Sequence, residues 1–420
     1  MRRLRAFVAV TLIAVSWTSA SGQTHRNFRD ELDEIMARAK LRIGPLRILP
    51  KLQLQNLGYD NNVYFRSPEE GPVGDYTVTL SPEIKTYLLL GRSLLLSFTE
   101  NPEYLYFAKQ DRLRTFTNSY APSLRLNLFN RLSLSGEYHS QKHLRRAFSE
   151  FSTLVTDTTK GSAASFFYET PRGTSIGLSF LVDRFAYEDI VLPDREVLFS
   201  RSLNRKETTG NVELYYPIYS ESTFFAKVGS TRYVFDHPSS RWRDSRSVQA
   251  SVGLRFPLMG RARGKISLGY KRFVPGSEER VGFSGLVADT DLDFRLGRFG
   301  FRFGLGRDNQ FSYLEDVFYY VEDRTSSGLS FRLTRRFRLD YDFRYGALKY
   351  PEPFPIYVPE AGPLEIARRD VHRTHSIGLA FFFLRKTGIQ LSYNIFERTS
   401  NVPGFDRKRN FVGISLTQDF

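Results

Sequence analysis

The stretch FVGISLTQDF, from Phe411 to Phe420, shows the pattern that decides the fold. Every second residue is apolar, with Gln418 as the single polar interruption: Val412, Ile414, Leu416 and Phe420. The positions between them are small or polar: Gly413, Ser415, Thr417 and Asp419. Successive side chains on a β-strand point to opposite faces, so this stretch predicts a strand with one apolar and one polar face.

The same alternation recurs upstream and is clearest in the second half of the chain. Four stretches there place apolar residues at every second position: Val248 to Phe256, Phe299 to Leu305, Phe337 to Tyr345 and Ile389 to Ile395. The first half repeats the pattern more faintly, at Leu124 to Leu128, Leu132 to Tyr138 and Ile176 to Val182. From Leu46 onward the chain is therefore predicted to be all-β.

Short turn signals divide these strands at intervals of roughly 40 residues, enough for two long strands and one loop. They lie at Gly91-Arg92, Asn130-Arg131, Pro171 to Gly173, Pro217 to Ser220, Met259-Gly260, Gly297-Arg298, Arg335-Arg336 and Lys386 to Gly388. With both chain ends on the side of these turns, the spacing predicts about 18 antiparallel strands, with 16 as the alternative count.

Longer polar stretches between the turns are expected to be loops, at residues 148–161, 190–206, 236–245 and 350–369. The last of them contains Pro351, Pro353, Pro355, Pro359 and Pro363, which should prevent strand formation because proline donates no backbone hydrogen bond. This loop either folds into the barrel as a constriction or is exposed outside it.

Strand alternation alone does not separate a soluble sandwich, whose apolar face is its core, from a transmembrane barrel, whose apolar face meets lipid. Length and size favour the barrel. Strands of 12 or more residues exceed the usual length in soluble sheets, and a single sandwich core stops growing at such a size. Closure in a membrane also pairs every backbone group. The prediction is a single antiparallel transmembrane β-barrel.

Three segments are predicted along the chain. Residues 1–22 have a basic start, an apolar core from Ala6 to Val15 and small residues at Thr18 to Ala20, as in a secretory signal peptide; a membrane anchor is the alternative. Residues 23–45 contain a helical pattern from Asn27 to Leu41 that ends at Gly44-Pro45. It is either a periplasmic helix that plugs the pore or a leader before the first strand. Residues 46–420 form the barrel.

The composition argues against several kinds of chemistry. The chain has no cysteine, so neither disulfides nor cysteine metal sites can form. His372 and His375 have the closest spacing among the six histidines, but on a strand they point to opposite faces. The same holds for the adjacent His139 and Ser140. No metal site, cofactor or enzymatic activity is predicted.

The net charge of +15 favours anionic partners, such as lipopolysaccharide phosphates, acidic polysaccharides or anionic solutes. Nucleic acid is not expected as a partner, because an exported chain without a recognition module has no means to read it. The mean hydropathy of -0.35 is compatible with a transmembrane barrel, in which only alternate residues touch lipid.

Two motifs carry a resemblance to known proteins. The closing strand, with Leu416 and the aromatic carboxy-terminal Phe420, resembles the last strand of bacterial outer-membrane barrels, which the barrel assembly machinery recognises. Leu46 to Tyr64, LRILPKLQLQNLGYDNNVY, is similar to the opening strand of a β-barrel porin family often associated with exopolysaccharide export in Gram-negative bacteria. The resemblance implies an outer-membrane location and brings no catalytic residues. Asp60, Asn61 and Asn62 are expected at the rim, where the first strand meets its loop.

If the polar parity faces inward, it supplies the candidate lumen-lining residues. These are Arg125, Arg255, Lys265, Arg295, Arg302, Arg332, Arg338, Asp340, Asp342 and Arg344. Arginine's fixed fork of donors suits carboxylates and phosphates. Opposed to aspartate on a neighbouring strand, it can instead form part of the wall. A structural ion-pair lattice and a mildly anion-favouring conduit therefore both remain open.

The predicted function is a passive outer-membrane channel for saccharides or other polar, anionic solutes, with exopolysaccharide export as its specific form. Its expected partners are outer-membrane lipid and lipopolysaccharide, the barrel assembly machinery and periplasmic polysaccharide-export proteins. The alternative is a non-conducting structural or adhesive barrel whose basic external loops bind lipopolysaccharide or another partner.

Overall fold

The computed structural model describes residues 28–39, 41–146, 154–191, 196–219, 222–256, 262–358, 362–384 and 387–419. Eighteen long antiparallel strands, β1 to β18, form one sheet. Their bounds, in chain order, are Leu46–Asp60, Asp75–Leu90, Leu94–Phe107, Thr115–Leu128, Leu132–Arg146, Leu154–Glu169, Ser175–Tyr187, Arg205–Tyr219, Ser222–Phe235, Ser245–Phe256, Ala262–Pro275, Phe283–Leu296, Phe299–Phe311, Tyr319–Arg332, Phe337–Lys349, Arg369–Leu384, Thr387–Ser400 and Arg407–Asp419.

The sheet closes on itself. β1 pairs with β2 on one side and with the last strand, β18, on the other, so that no edge remains unpaired. The predicted all-β barrel and its count of 18 strands are therefore confirmed, and the alternative count of 16 is wrong.

One end of the barrel, here called the turn end, has the tight turns that the sequence indicates. Gly91 and Gly297 adopt φ angles of 68° and 60°, in the left-handed region that glycine occupies without strain. The turns expected at Met259-Gly260 and at Lys386 lie outside the described residues. The opposite end, the loop end, has the longer connections.

Two loop predictions are wrong. Residues 148–161 were expected to be a loop, but β6 already begins at Leu154, because Val155, Asp157 and Thr159 continue the strand alternation on the buried parity. In the proline-rich segment, Phe354–Val358 pairs with Gly362–Ile366 as a small hairpin. Such a two-stranded ribbon consists only of edge strands, where proline is tolerated.

The outer face of the barrel has an apolar band. Large apolar side chains that are about half exposed recur at every second position of the strands, among them Leu178 and Phe180 on β7, Phe301 and Phe303 on β13 and Val412 and Ile414 on β18. The positions between them are mostly buried or half-buried. The apolar parity therefore faces outward and the polar parity faces inward.

A β-bulge in β1 keeps this band continuous. The register between β1 and β18 shifts between Leu54 and Leu57, and Asn56 has a φ angle of 54°. A register slip of one residue would turn every later side chain to the other face. Because of the bulge, Leu52 before it and Leu57 and Tyr59 after it are all exposed on the outer face.

A short helix, α1 (Phe28–Arg38), lies against the inner wall near the turn end. Phe28 and Ile35 are buried against Leu95 of β3, with Tyr87 and Leu89 of β2 beside them. The predicted helix is thus confirmed within the described residues. A three-residue strand, Leu41–Ile43, then pairs with the start of β1. No helix in the described residues has the length and hydrophobicity to cross a bilayer.

At the loop end, three connections fold together around one buried arginine. Arg243, with 0 % exposure, donates hydrogen bonds to the backbone carbonyls of Ser202, Ser312, Leu314 and Val317 at 2.5–3.2 Å. Its guanidinium thereby joins the connection before β8 to the connection before β14. Phe318 packs beside it on Trp242 and Phe273.

Candidate functional site: the inner face of the barrel

The ten candidate lumen-lining residues lie on seven strands of the barrel. Arg125 lies on β4, Arg255 on β10, Lys265 on β11, Arg295 on β12, Arg302 on β13, Arg332 on β14, and Arg338, Asp340, Asp342 and Arg344 on β15. Each occupies the parity opposite to the exposed apolar residues of its strand. All but Arg125 therefore fall on one continuous part of the inner face.

We call the inner face of β10 to β15 the basic wall. Small residues alternate here with long charged ones, because β13 carries Gly300 and Gly304 and β14 carries Ser326, Gly328 and Ser330 on this face. They leave room for guanidinium groups to lie across the neighbouring strand. Arg302 of β13 uses this room, since it reaches over Gly328 to Asp342 of β15 at 2.7 Å.

Other cations of the basic wall contact carboxylates closer by. Lys265 contacts Asp289 at 2.8 Å, and Arg338 contacts Asp340 at 2.9 Å. Arg295 lies 3.5 Å from Asp293. These pairs have the form of the structural ion-pair lattice, one of the two alternatives that the sequence predicts. The Arg302 pair differs because it spans two strands rather than one.

Not every cation of the basic wall is paired. Within the described residues, Arg332 and Arg344 make no ion pair or hydrogen bond with a carboxylate. The Arg255 guanidinium lies 5.3 Å from the centre of the Tyr215 ring, and the Lys265 ammonium, in addition to its contact with Asp289, lies 5.8 Å from that of Phe225. Aromatic faces attract cations without neutralising them. The wall therefore retains positive charge.

The inner face of β2 to β8, which we call the acidic wall, has the opposite character. Among the described side chains, its inward carboxylates are Asp75, Glu83, Glu103, Glu137, Asp157, Glu169, Asp183, Glu207 and Glu213, whereas its inward cations are Lys85, Arg125 and Arg205. Several of these acids already have partners. Glu213 accepts hydrogen bonds from Ser179 at 2.9 Å and Tyr215 at 2.6 Å and lies 3.7 Å from Lys227.

The acidic wall has its own pair across a glycine. His139 of β5 reaches over Gly161 of β6 to Asp183 of β7, with 2.9 Å between Nε2 and Oδ1. Both side chains are nearly buried. His139 thus contacts a carboxylate of the acidic wall. Ser140 lies on the opposite face of the strand.

Arg125 is the candidate residue that lies apart from the others. It projects from the acidic wall and forms an ion pair with Glu31 of α1. Together with the apolar contacts of Phe28 and Ile35, this pair fixes the helix against the inner wall.

The opening motif, through Asp60 and Asn62, binds the first strand to the last. Asp60 is fully buried at the end of β1, and both of its oxygens accept hydrogen bonds from Nε of Arg409 on β18 at 2.9 Å. The Asn62 side chain donates to the carbonyl oxygens of Arg66 and Lys408, both at 2.9 Å. The motif lies where the first strand meets its loop, as expected, whereas its partner Arg409 on β18 is not indicated by any local pattern.

The remaining candidates concern assembly and metals. Leu416 lies on β18 opposite Leu54 of β1 and Ile389 of β17, and Phe420 lies outside the described residues. In the part of the chain that the structure describes, no three His, Asp or Glu side chains are grouped so as to hold a metal ion.

A closed barrel of long strands, with an apolar outer band and a charged inner face, defines an outer-membrane β-barrel of the porin type. The chain belongs to one family of this class: the family model described as "Putative beta-barrel porin 2" matches residues 40–420. No curated protein matches the chain.

Solved structures with a similar fold include two proteins from Pseudomonas aeruginosa. OccK2 (OpdF), solved in complex with glucuronate, is 13% identical, with 89% of this chain and 98% of that chain covered and a TM-score of 0.51. OpdO is 12% identical, with coverage of 89% and 97% and a TM-score of 0.50. At this identity the likeness shows the shared barrel fold alone.

Proposed function

We propose that the chain is a passive outer-membrane channel for polar solutes that carry negative charge, with sugar acids as the leading class. The observation that carries this proposal is the division of the inner face into a basic and an acidic wall. A solute with a carboxylate and several hydroxyls can place its charge toward Arg332 and Arg344, while its hydroxyls meet the serines and carboxylates around them.

The wall chemistry also supports a moderate rather than an absolute preference. Arg302, Arg338 and Lys265 are each balanced in part by a carboxylate, so the net field they produce is reduced. We therefore expect small anions to pass more readily than cations, and neutral sugars to pass as well.

Planar-bilayer recordings test this proposal directly. The purified barrel should show stepwise conductance, and its reversal potential in a potassium chloride gradient should indicate chloride preference. In vesicle-swelling assays glucuronate should enter faster than glucose of similar size. A protein that never conducts, or a reversal potential on the cation side, would contradict the proposal.

Exopolysaccharide export is the specific process that we propose for this channel. The support is the association of similar porins with such export, together with the fit between an acidic polysaccharide and the basic wall. Deleting the gene should leave acidic polysaccharide in the periplasm, and the intact gene should restore its release. Normal release from the deletion strain would exclude export but would not contradict the passive passage of small anionic solutes.

A second candidate function, a non-conducting barrel, is favoured by the position of α1 and of the loop cluster around Arg243. The helix occupies part of the turn end, and the cluster covers part of the loop end. If the full-length barrel is silent in bilayers, removal of residues 28–38 separates the two candidates. Conductance after removal indicates a plugged channel, whereas continued silence indicates a structural or adhesive barrel.

A further inference from the structure

We propose that the outer face of β6 to β11 binds lipopolysaccharide through the phosphates of its lipid anchor. The site is a row of six exposed cations, here called the basic belt: Lys160, Arg184, Lys206, Arg232, Arg246 and Arg272. One lies on each of these six consecutive strands. All six occupy the same parity as the apolar outer band, so they face the membrane side rather than the lumen.

The strand register places these cations next to one another. Arg184 is paired directly with Lys160 on one side and with Lys206 on the other, and Arg232 is paired with Arg246. Directly opposed residues have Cβ atoms about 5 Å apart, and like charges at that distance are destabilising. An external anion between them would relieve this repulsion.

The belt also lies at one height on the barrel. Nine positions separate Lys160 from Glu169 and Arg184 from Ser175 at the turn ends of their strands, and ten positions each separate Arg232 from Ser222, Arg246 from Phe256 and Arg272 from Ala262. Thirteen positions, which include a register shift near Pro217, separate Lys206 from Tyr219. With a rise of about 3.3 Å per residue and a tilt of about 40°, ten residues climb roughly 25 Å, which is the height of the apolar band of an outer-membrane barrel. The cations therefore lie at the outer headgroup level.

Below the belt, the wall is suited to acyl chains. From Arg184 toward the turn end the outward residues of β7 are Val182, Phe180, Leu178 and Ile176, all exposed. A shallow cavity of ≈ 260 Å³ opens on this surface, lined among others by Tyr138, Lys160, Val182, Arg184 and Lys206. Cations above and apolar side chains below fit an amphipathic anion with its phosphate uppermost.

Three outward-facing cations at the loop end of other strands differ from the belt because they have acidic partners. Arg307 and Lys349 both contact Asp323, at 2.9 and 2.8 Å, and Lys408 lies 3.4 Å from Glu397. In the belt, Arg184 contacts Asp236 at 3.1 Å, while the other five cations contact no carboxylate within the described residues. The belt is thus a run of adjacent outward-facing cations, five of which have no acidic partner within the described residues.

The outer leaflet of the outer membrane presents lipopolysaccharide, whose lipid anchor has phosphates at the headgroup level above several acyl chains. We assign the site to lipopolysaccharide rather than to a phospholipid, because six cations on adjacent strands offer more contacts than a single phosphate can use. The inference is independent of whether the barrel conducts.

The test compares two triple variants of the whole barrel in detergent. The belt variant is K160Q/R184Q/K206Q, and the control R307Q/K349Q/K408Q removes the same charge from paired positions. Binding of purified lipopolysaccharide is measured by native mass spectrometry, and folding is checked by heat-modifiable migration in gels. We expect the belt variant to bind at least about tenfold more weakly, a loss of roughly 1.4 kcal/mol, and the control to bind as the wild type does.

Two competitors identify the ligand. Dephosphorylated lipopolysaccharide and phosphatidylglycerol should both fail to displace the bound lipid at equal concentration. Equal binding by the belt variant and the wild type, or effective competition by the dephosphorylated form, would overturn the site. Effective competition by phosphatidylglycerol would overturn the assignment to lipopolysaccharide in favour of a general anionic-lipid surface.

Discussion

The acidic and basic walls of the barrel contain the same kind of side-chain contact, one in buried and one in exposed surroundings. In each wall, a basic side chain crosses the neighbouring strand above a glycine and reaches a carboxylate two strands away: His139 to Asp183 above Gly161, and Arg302 to Asp342 above Gly328. The His139 side chain is 5% exposed and the Arg302 side chain 47%. A pair sealed from water mainly supports the wall, whereas a pair open to water can also meet a passing solute.

The largest difference between the walls should appear on filling the space above each glycine. A Cβ at Gly161 would collide with the Asp183 carboxylate, and one at Gly328 would lie 2.6 Å from Asp342 Oδ1 and 3.0 Å from Arg302 Nε. Gly161→Ala should lower the free energy of unfolding by about 3 kcal/mol and Gly328→Ala by about 1 kcal/mol, because the contacts with the added Cβ are longer at Gly328 and the pair there is open to water at its arginine and can shift.

Urea unfolding in lipid vesicles measures both changes, and Gly136→Ala serves as the control, since a Cβ there would meet nothing within 4 Å. Equal losses at Gly161 and Gly328 would show that burial does not distinguish the two pairs.

The next largest effect concerns ion preference. Changing Arg302, Arg338 and Arg344 together to glutamine should shift the reversal potential toward cations, with an anion-to-cation permeability ratio reduced about fivefold, or roughly 1 kcal/mol. The matched control changes Arg232, Arg246 and Arg272, which lie on the outer face, and should leave the ratio as it was. If the inner triple has no effect, these arginines act only in the wall.

The acidic wall should respond in the opposite direction and more weakly. Glu137→Gln with Glu213→Gln removes two inward carboxylates, and anion preference should rise by about twofold. The effect is smaller because Glu213 is buried and already bound by Ser179 and Tyr215. Reversal potentials measured beside the arginine variant give the comparison. A change larger than that of the arginine triple would mean that the acidic wall dominates selectivity.

Local alternation predicts most of the fold, because each strand shows its two faces in its own residues. The bulge in β1 was missed, although one signal was present: Leu54 and Leu57 are three apart, so the apolar parity changes between them. The cluster around Arg243 left no such signal, since its partners are backbone carbonyls, which any sequence provides.

On the inner face, too, the sequence predicts the side on which a residue lies but not its partner. The parity of Arg302 and Asp342 can be read from the sequence, and both lie on the inner face. Their pairing cannot be read in the same way, because it depends on a glycine in the strand between them and on the register of three strands. The basic belt was missed for the related reason that its members are far apart in sequence and meet only through pairing.

The contact between Asp60 and Arg409 joins residues that are 349 positions apart, nearly the whole length of the barrel. Ring closure therefore has to wait until the final strand has been delivered, and a partly made sheet would meanwhile expose two open edges. A variant truncated before Arg407 should therefore accumulate as an aggregation-prone, protease-sensitive intermediate rather than form a smaller barrel.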